Sequence, residues 1–171
     1  MPYNPDKHHR RSIRLPGYDY RGDGMYFVTL CTHDRGQLFG NVTAGTPHLN
    51  QYGQIVADAW LWLAQQYPYV IIDAWVVMPN HFHGILVIGD DDRGGSRSAP
   101  TRKPLGRLIG AFKTVSTKQI NHLRDTSGTV VWQRNYYEHI IRNEDRLHEI
   151  RHYIETNPAR WTEDSLYVAP P

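Results

Sequence analysis

"VVMPNHFHGILVIG", residues 76–89, joins two apolar segments through a Pro-Asn turn. A two-residue connection is typical of a β-hairpin, so residues 69–78 and 81–88 are predicted to be neighbouring antiparallel strands. Successive side chains of a strand point to opposite faces, so His81 and His83 share one face and Phe82 points to the other. Two imidazoles in this position have the spacing to share a metal ion, or they are ordinary polar residues at a strand end.

The segments around this hairpin alternate between strand and helix patterns. Residues 25–33 are predicted to be a strand, and helical spacing of apolar residues predicts helices over 51–68, 105–124 and 143–158. Residues 34–50 are interpreted as a loop or short hairpin, and 128–141 as a short strand followed by an extended segment. The first six elements follow the β-α-β-β-α-β order of a ferredoxin-like sandwich, an α+β fold with one antiparallel sheet and helices on one face. The C-terminal helix is an addition to that fold.

Two helices have features that bear on the core and on function. The first helix is predicted to pack through Ile55, Ala59, Trp62 and Leu63. In the last helix, Leu147, Ile150 and Ile154 form one apolar stripe, and Tyr153 and Asn157 lie one turn apart at its edge. Taken alone, Tyr153 is a boundary tyrosine with a hydrated hydroxyl. Asn157 precedes a proline, which disfavours helical geometry there.

Length and composition indicate one ordinary globular domain over residues 1–171, with a basic arm (1–17), a flexible loop (89–104) and a tail (159–171). The net charge of +2 does not by itself indicate nucleic acid, and a single cysteine excludes a disulfide framework and a four-cysteine zinc site. No segment approaches 18 apolar residues and the N-terminus has no apolar signal segment, so we expect a cytoplasmic protein with no membrane span.

The last helix also contains "HEIRH", residues 148–152, which matches the H-E-x-x-H signature of zinc proteases. The longer form of that signature fails, because Glu155 stands where a glycine is required and Pro158 where the third histidine is required. Charged neighbours suit a solvated helix better than a central metal-binding helix. A zinc protease is therefore a minor alternative.

Two blocks, "VVMPNHFHGILVI" and "WQRNYYEHIIRNEDRLHEIRHYIETNPARW", resemble the REP-associated tyrosine transposases, members of the single-tyrosine HUH superfamily (His, hydrophobic, His). The resemblance runs from "YFVTLCT" to "NPARW". It implies that His81 and His83 are metal ligands, that Asn157 completes the site, and that Tyr153 is the catalytic nucleophile. It implies a divalent cofactor, Mg²⁺ or Mn²⁺, and a 5′-phosphotyrosine intermediate formed on single-stranded hairpin DNA.

Basic residues interleaved with aromatic residues suit single-stranded nucleic acid, although a solvated surface of mixed charge has a similar composition. The chain is expected to act as a monomer or homodimer, and the resemblance leaves both open. A domesticated relative that binds hairpin DNA without turnover remains an alternative, whereas an RNA-recognition domain lacks its aromatic sheet signature in "MYFVTLCTH". The residues predicted to contact DNA are Arg10, Arg11, Arg14, Arg102, Lys103, Arg107, Lys113, Arg134, His139 and Arg142.

Overall fold

The structure, a computed structural model, describes residues 17–20, 22–89 and 102–169. Nearly all of the expected basic arm, with Arg10, Arg11 and Arg14, lies outside the described residues, as does most of the expected loop 89–104. Within the described ranges, no helix has both the length and the apolar character needed to cross a membrane.

The described residues form a four-stranded antiparallel sheet in the order β4-β5-β1-β6, with a separate two-stranded hairpin, β2-β3. This arrangement confirms the ferredoxin-like β-α-β-β-α-β order, followed by the additional helix α3 and a short 3₁₀ helix. The elements are β1 (Gly24–Cys31), β2 (Gly40–Thr43), β3 (Thr46–Leu49), α1 (Gln51–Gln66), β4 (Val70–Met78), β5 (His81–Ile88), α2 (Leu105–Leu123), β6 (Tyr137–Ile141), α3 (Glu144–Thr156) and the 3₁₀ helix (Pro158–Glu163).

The two faces of the sheet carry different helices, because side chains alternate along each strand. The face that includes Val28 and Phe82 packs against α1 and α2 in the main core. The opposite face, with Phe27 and Ile85, is covered by the apolar stripe of α3: Leu147, Ile150 and Ile154. The additional helix therefore supplies the second layer that the sheet would otherwise lack. His81 and His83 lie on this second face, since they alternate with Phe82.

Helix α1 buries two of the four residues predicted for its inner face, Ala59 and Leu63, but the centre of that face is Trp60 rather than Trp62. Trp60 is fully buried, and its ring lies 4.7 Å from Phe82 and 5.3 Å from Phe112. Ile55 and Trp62 are only half-buried at the edge of the core. Trp60 and Phe112 thus both pack against Phe82 on the face of β5 opposite the histidines.

Between α2 and β6 the chain contacts the sheet through Trp132, which pairs with Thr32 in a single bridge. The Trp132 ring inserts between Phe39, at 5.0 Å, and Phe112, at 5.5 Å. Its indole N–H donates to the Ser116 hydroxyl. The predicted short strand before β6 is therefore a largely exposed loop that supplies two core side chains, Val131 and Trp132.

Candidate active site

The two histidines at the start of β5 lie side by side in the interior. His81 is 0% and His83 is 2% exposed, and their ring centroids are 4.5 Å apart. The strand register places Cys31 and Thr29 of β1 opposite them. On the other side of β5, Phe82 anchors the strand in the main core, so the direction of both imidazoles is fixed by packing.

Hydrogen bonds set the orientation of the His81 ring. Its Nδ1 lies 2.8 Å from the Asn80 side-chain oxygen, while the Asn80 amide nitrogen donates to the carbonyls of Arg35 and Leu166. Because those two acceptors fix which end of the Asn80 amide carries oxygen, His81 Nδ1 must be the protonated nitrogen. Its Nε2 then presents a lone pair, and this buried atom has no hydrogen-bond partner.

His83 is held in a similar way. Its Nδ1 lies 2.8 Å from the Thr29 hydroxyl, and its Nε2 is 3.3 Å from the Tyr153 hydroxyl oxygen. Burial lowers the pKa of His81 to about 4, against the opposing effect of the Asp164 carboxylate. Burial, together with His81, holds the pKa of His83 well below its ordinary value. Both rings are therefore neutral at pH 7, which is the form that binds metal ions.

Asn157 approaches the histidines from the C-terminal end of α3. Despite the following proline, its backbone is helical, with φ −55° and ψ −43°, and its side chain is buried. The Asn157 amide nitrogen donates to Asp164 at 2.6 Å, which leaves its buried Oδ1 without a hydrogen-bond partner. The Asp164 carboxylate lies 4.0 Å from His81 Nε2.

This cluster has the composition of a divalent-metal site. His81, His83 and Asp164 each offer a ligand atom within 4.8 Å of the others, and within the described part of the chain they are the one such group. Two buried polar atoms, His81 Nε2 and Asn157 Oδ1, lack a hydrogen-bond partner. Burial of an unpaired polar atom costs free energy. Both are explained if they face a cation. Asp164 was missed because it lies in the tail that was expected to be irregular.

Tyr153 lies between the cluster and solvent. Its side chain is 42% exposed, and its ring packs edge-on against Phe27 at 6.1 Å. Burial raises the pKa of the Tyr153 phenol, the negative charge of Asp164 raises it further, and the positive charge of Arg160 opposes them. The phenol is therefore protonated at neutral pH. Activating it as a nucleophile requires added positive charge.

Tyr153 separates two cavities. One, of about 170 Å³, is lined by Asn157, Arg160 and Asp164 on the cluster side. The other, of about 430 Å³, lies between α3 and the floor formed by the sheet, and includes Thr29, His83 and His139. A nucleic-acid strand that crosses Tyr153 would therefore have space on both sides of the Tyr153 hydroxyl.

Helix α3 is tied to the sheet by an ion pair as well as by its apolar stripe. Arg151 donates two hydrogen bonds to the Asp73 carboxylate of β4, at 2.9 and 2.5 Å. Arg151 is two residues from Tyr153, so this contact helps to fix the height and rotation of the tyrosine over the sheet.

The basic residues predicted to contact DNA fall into separate groups. Arg102, Lys103 and Arg107 line a cavity of about 530 Å³ at the start of α2, on the opposite side of the sheet from α3. Arg134 and Arg142 are exposed near β6. Of the seven that lie within the described residues, His139 is the one that lines a cavity beside Tyr153.

The Lys113 ammonium group already has hydrogen-bond partners within the protein. Its ammonium donates to the carbonyls of Gln133, Arg134 and Asn135 and lies 5.4 Å from the centroid of the Tyr136 ring. Burial lowers its pKa to about 8. These contacts indicate that Lys113 holds the loop before β6 in place.

The histidines of "HEIRH" lie elsewhere. His148 and His152 are both exposed on α3, and Glu149 forms an ion pair with Arg146 at 2.6 Å. The described residues offer them no third ligand in a cluster. The zinc-protease interpretation therefore has no structural support here.

No protein-family model matches the chain. The chain is 38% identical over 177 residues to an uncharacterised protein of Haemophilus influenzae, and the match covers 97% of each. It is 24% identical over 143 residues to a protein of the same organism named as a candidate REP-associated tyrosine transposase, which covers 83% of this chain and 74% of that one. Its fold is similar to a solved REP-associated tyrosine transposase bound to a REP hairpin, with 25% identity, a TM-score of 0.57, and coverage of 87% of this chain and 74% of the other. The fold and these matches together support the assignment of the chain to the REP-associated tyrosine transposases.

Proposed function

We propose that this protein is a tyrosine transposase that cleaves and rejoins single-stranded hairpin DNA, with Tyr153 as the nucleophile. One observation carries the proposal: the Tyr153 hydroxyl lies 3.3 Å from His83 Nε2, in the same cluster as the unpartnered His81 Nε2 and Asn157 Oδ1. A nucleophile beside a cation-binding cluster is the arrangement that phosphoryl transfer requires. Hairpin DNA is the ligand of the solved relative, which supports the same class of substrate for this chain.

The residues that would hold a divalent ion are His81, His83 and Asn157. Asp164 fixes the Asn157 amide through its hydrogen bond and places a carboxylate at the edge of the cluster. When bound, Mg²⁺ or Mn²⁺ would supply positive charge that polarises the phosphate and favours the phenolate. Asn80 and Thr29 act through the histidines, because each holds the second ring nitrogen and so keeps Nε2 pointing into the site.

The proposed reaction exchanges one phosphodiester bond for another. The Tyr153 phenol, which is partly exposed, loses its proton to water, and its oxygen attacks the phosphorus. The bond from phosphorus to the 3′ oxygen of the preceding nucleotide breaks, and that oxygen takes up a proton. Tyr153 then carries the 5′-phosphate as an ester, so an incoming 3′-hydroxyl can reverse the steps and reseal the strand. Arg160, which lines the adjacent cavity, favours the phenolate by its charge.

The proposal is tested by replacing the hydroxyl alone. Tyr153→Phe keeps the ring on Phe27 and removes one partly exposed hydrogen bond, at a cost of about 1 kcal/mol. The assay uses a hairpin with single-stranded flanks, labelled on the side that keeps the 5′-phosphate, together with Mn²⁺ and a denaturing gel. Wild type should give a protein-linked band, and Tyr153→Phe should give none.

Two matched variants make the result specific. Tyr136→Phe and Tyr137→Phe remove the hydroxyls of other tyrosines in the region and should still form the adduct. A protein-linked band in Tyr153→Phe would show that another residue is the nucleophile. If wild type binds the hairpin but never forms the adduct, the chain is a hairpin-binding protein without turnover.

A further inference from the structure

The larger cavity beside Tyr153 extends from His83 and Tyr153 to residues that have no part in the reaction proposed above. Its volume of about 430 Å³ lies within the roughly 300–1,000 Å³ typical of small-ligand pockets. The floor is formed by neighbouring strands, because the register sets Tyr137 of β6 opposite Thr29 of β1 and His139 opposite Phe27. Helix α3 forms one wall, which includes Ile150 and Tyr153 itself.

The cavity is rich in aromatic edges and faces. Phe27 lines it and contacts Tyr137 edge-on at 6.3 Å and Tyr153 edge-on at 6.1 Å. Tyr137 is 52% exposed on a strand at the edge of the sheet, although a tyrosine at a core-facing position would normally be covered. An exposed ring that lines a cavity is a surface on which a planar aromatic group can stack.

The polar groups around this floor are suited to a neutral base with a phosphate nearby. His139 is partly buried, and burial, Arg146 and Arg142 together lower its pKa, so its imidazole is neutral and can donate or accept one hydrogen bond. Arg146, which forms an ion pair with Glu149, also lines the cavity, and the exposed Arg142 is close enough to lower the pKa of His139. Positive charge at this end complements the backbone of a nucleic-acid strand.

Continuity with the nucleophile identifies the occupant. Tyr153 and His83 line the cavity and also form the site at which the scissile phosphate must lie. A strand with its phosphate at the Tyr153 hydroxyl therefore places a neighbouring nucleotide over the cavity mouth. That nucleotide must be unpaired, because a paired base would not be free to enter a cavity between a helix and a sheet.

We propose that this cavity binds the unpaired nucleobase next to the scissile phosphate, with the base stacked on Tyr137 and its edge facing His139. The inference rests on the proposed function and adds a specificity site to it. The cavity would select the nucleotide beside the cleavage point, whereas Tyr153 acts on a phosphate that every nucleotide carries.

The experiment measures hairpin binding in the Tyr153→Phe background, where no covalent product forms. The probe is a REP hairpin with single-stranded flanks, prepared with one abasic position at a time. One abasic position next to the cleavage site should raise the Kd about tenfold or more, as expected for the loss of one stacked base. Adding Tyr137→Ala should weaken binding of the intact hairpin by a similar factor and abolish the further loss at that position.

Control variants separate stacking from folding. Tyr137→Phe keeps the ring and should bind like its parent, and Tyr52→Ala removes a half-buried tyrosine from α1 and should leave the abasic effect unchanged. The cavity assignment is overturned if the abasic and Tyr137→Ala losses simply multiply, or if no flanking position matters, while wild type still forms the Tyr153 adduct. If wild type neither binds the hairpin nor forms the adduct, the proposed function itself fails.

Discussion

The ion pair between α3 and β4 gives a direct test of how the nucleophile is positioned. Asp73→Asn removes the charge that holds Arg151 but keeps the shape of the side chain. Helix α3 would remain on the sheet through Leu147, Ile150 and Ile154, each of which is nearly fully buried. We therefore expect the variant to fold but to hold Tyr153 less firmly over His83.

The expected loss of stability can be calculated from the contact between Arg151 and Asp73. Hydrogen bonds to charged groups contribute about 1.5–3 kcal/mol when well formed. The Arg151 side chain is 37% and that of Asp73 is 19% exposed, so screening by solvent reduces this value. We expect Asp73→Asn to lower the free energy of unfolding by about 1 kcal/mol, or roughly 2–4 °C in Tm for a chain of this length. Cleavage should fall further, by about tenfold or more, because misplacement by an ångström is costly in rate.

The pH dependence of stability provides an independent measurement. The hydrogen bond from Arg151 lowers the pKa of Asp73 below its ordinary value. The stabilisation is therefore fully present above about pH 3.9, the pKa of an unfolded aspartate, and is lost as the pH falls through the lowered folded value. In urea unfolding, the difference between wild type and Asp73→Asn should be constant near neutral pH and shrink below about pH 4.

Glu149→Gln is the matched control. Glu149 also pairs with an arginine of α3, but within the helix and with both side chains largely exposed. Its loss should change stability and cleavage little. Equal effects of Asp73→Asn and Glu149→Gln, or wild-type cleavage by a clearly destabilised Asp73→Asn, would refute the view that this ion pair positions Tyr153.

Two further predictions concern the metal and the substrate. His81→Ala or His83→Ala should abolish cleavage and weaken Mn²⁺ binding in a titration, whereas His148→Ala and His152→Ala, on exposed positions of α3, should do neither; the reverse result would move the metal site to the helix. Single-stranded hairpin DNA should bind at least about tenfold more tightly than a perfect duplex of the same sequence, with affinity falling as salt rises, and equal affinities in a salt series would contradict the single-strand assignment.

The sequence was sufficient for the order of elements because each one has a strong local pattern. The hairpin of β4 and β5 is marked by its two-residue turn, and the apolar stripe of α3 packs as its spacing predicts. The spacing of apolar residues is a less reliable guide to the buried face of a helix that has apolar residues on more than one face. Helix α1 has apolar residues around much of its circumference, so the choice between Trp60 and Trp62 depends on the position of Phe82, a tertiary contact that periodicity does not encode.

Trp132 illustrates a second limit. The consecutive apolar residues Val130, Val131 and Trp132 before β6 resemble a strand, and Trp132 is indeed buried. Its partners, however, are Phe39 and the Ser116 hydroxyl rather than a run of strand neighbours. Burial and strand pairing are separate properties, and only pairing requires a matching edge on another strand. The sequence pattern detected the burial alone.

The position of Asp164 depends on contacts that are distant in sequence, which is why no local pattern revealed it. The carbonyl of Leu166 accepts a hydrogen bond from Asn80, 86 residues away, and Asp164 accepts from the backbone of Leu166. These bonds bring the segment after the 3₁₀ helix against the turn between β4 and β5. The same Asn80 side chain sets the protonated nitrogen of His81.

Asn80, in the turn between β4 and β5, therefore orients His81 and anchors the segment that carries Asp164. The start of β5 is where this turn, the C-terminal end of α3 and the C-terminal segment meet. Strand residues farther along, such as Ile85, are covered by the apolar stripe of α3 and could not reach a ligand from solvent. His81 and His83 lie at the end of this face of β5 where Asp164, its hydrogen-bond partner Asn157 and Tyr153 come together.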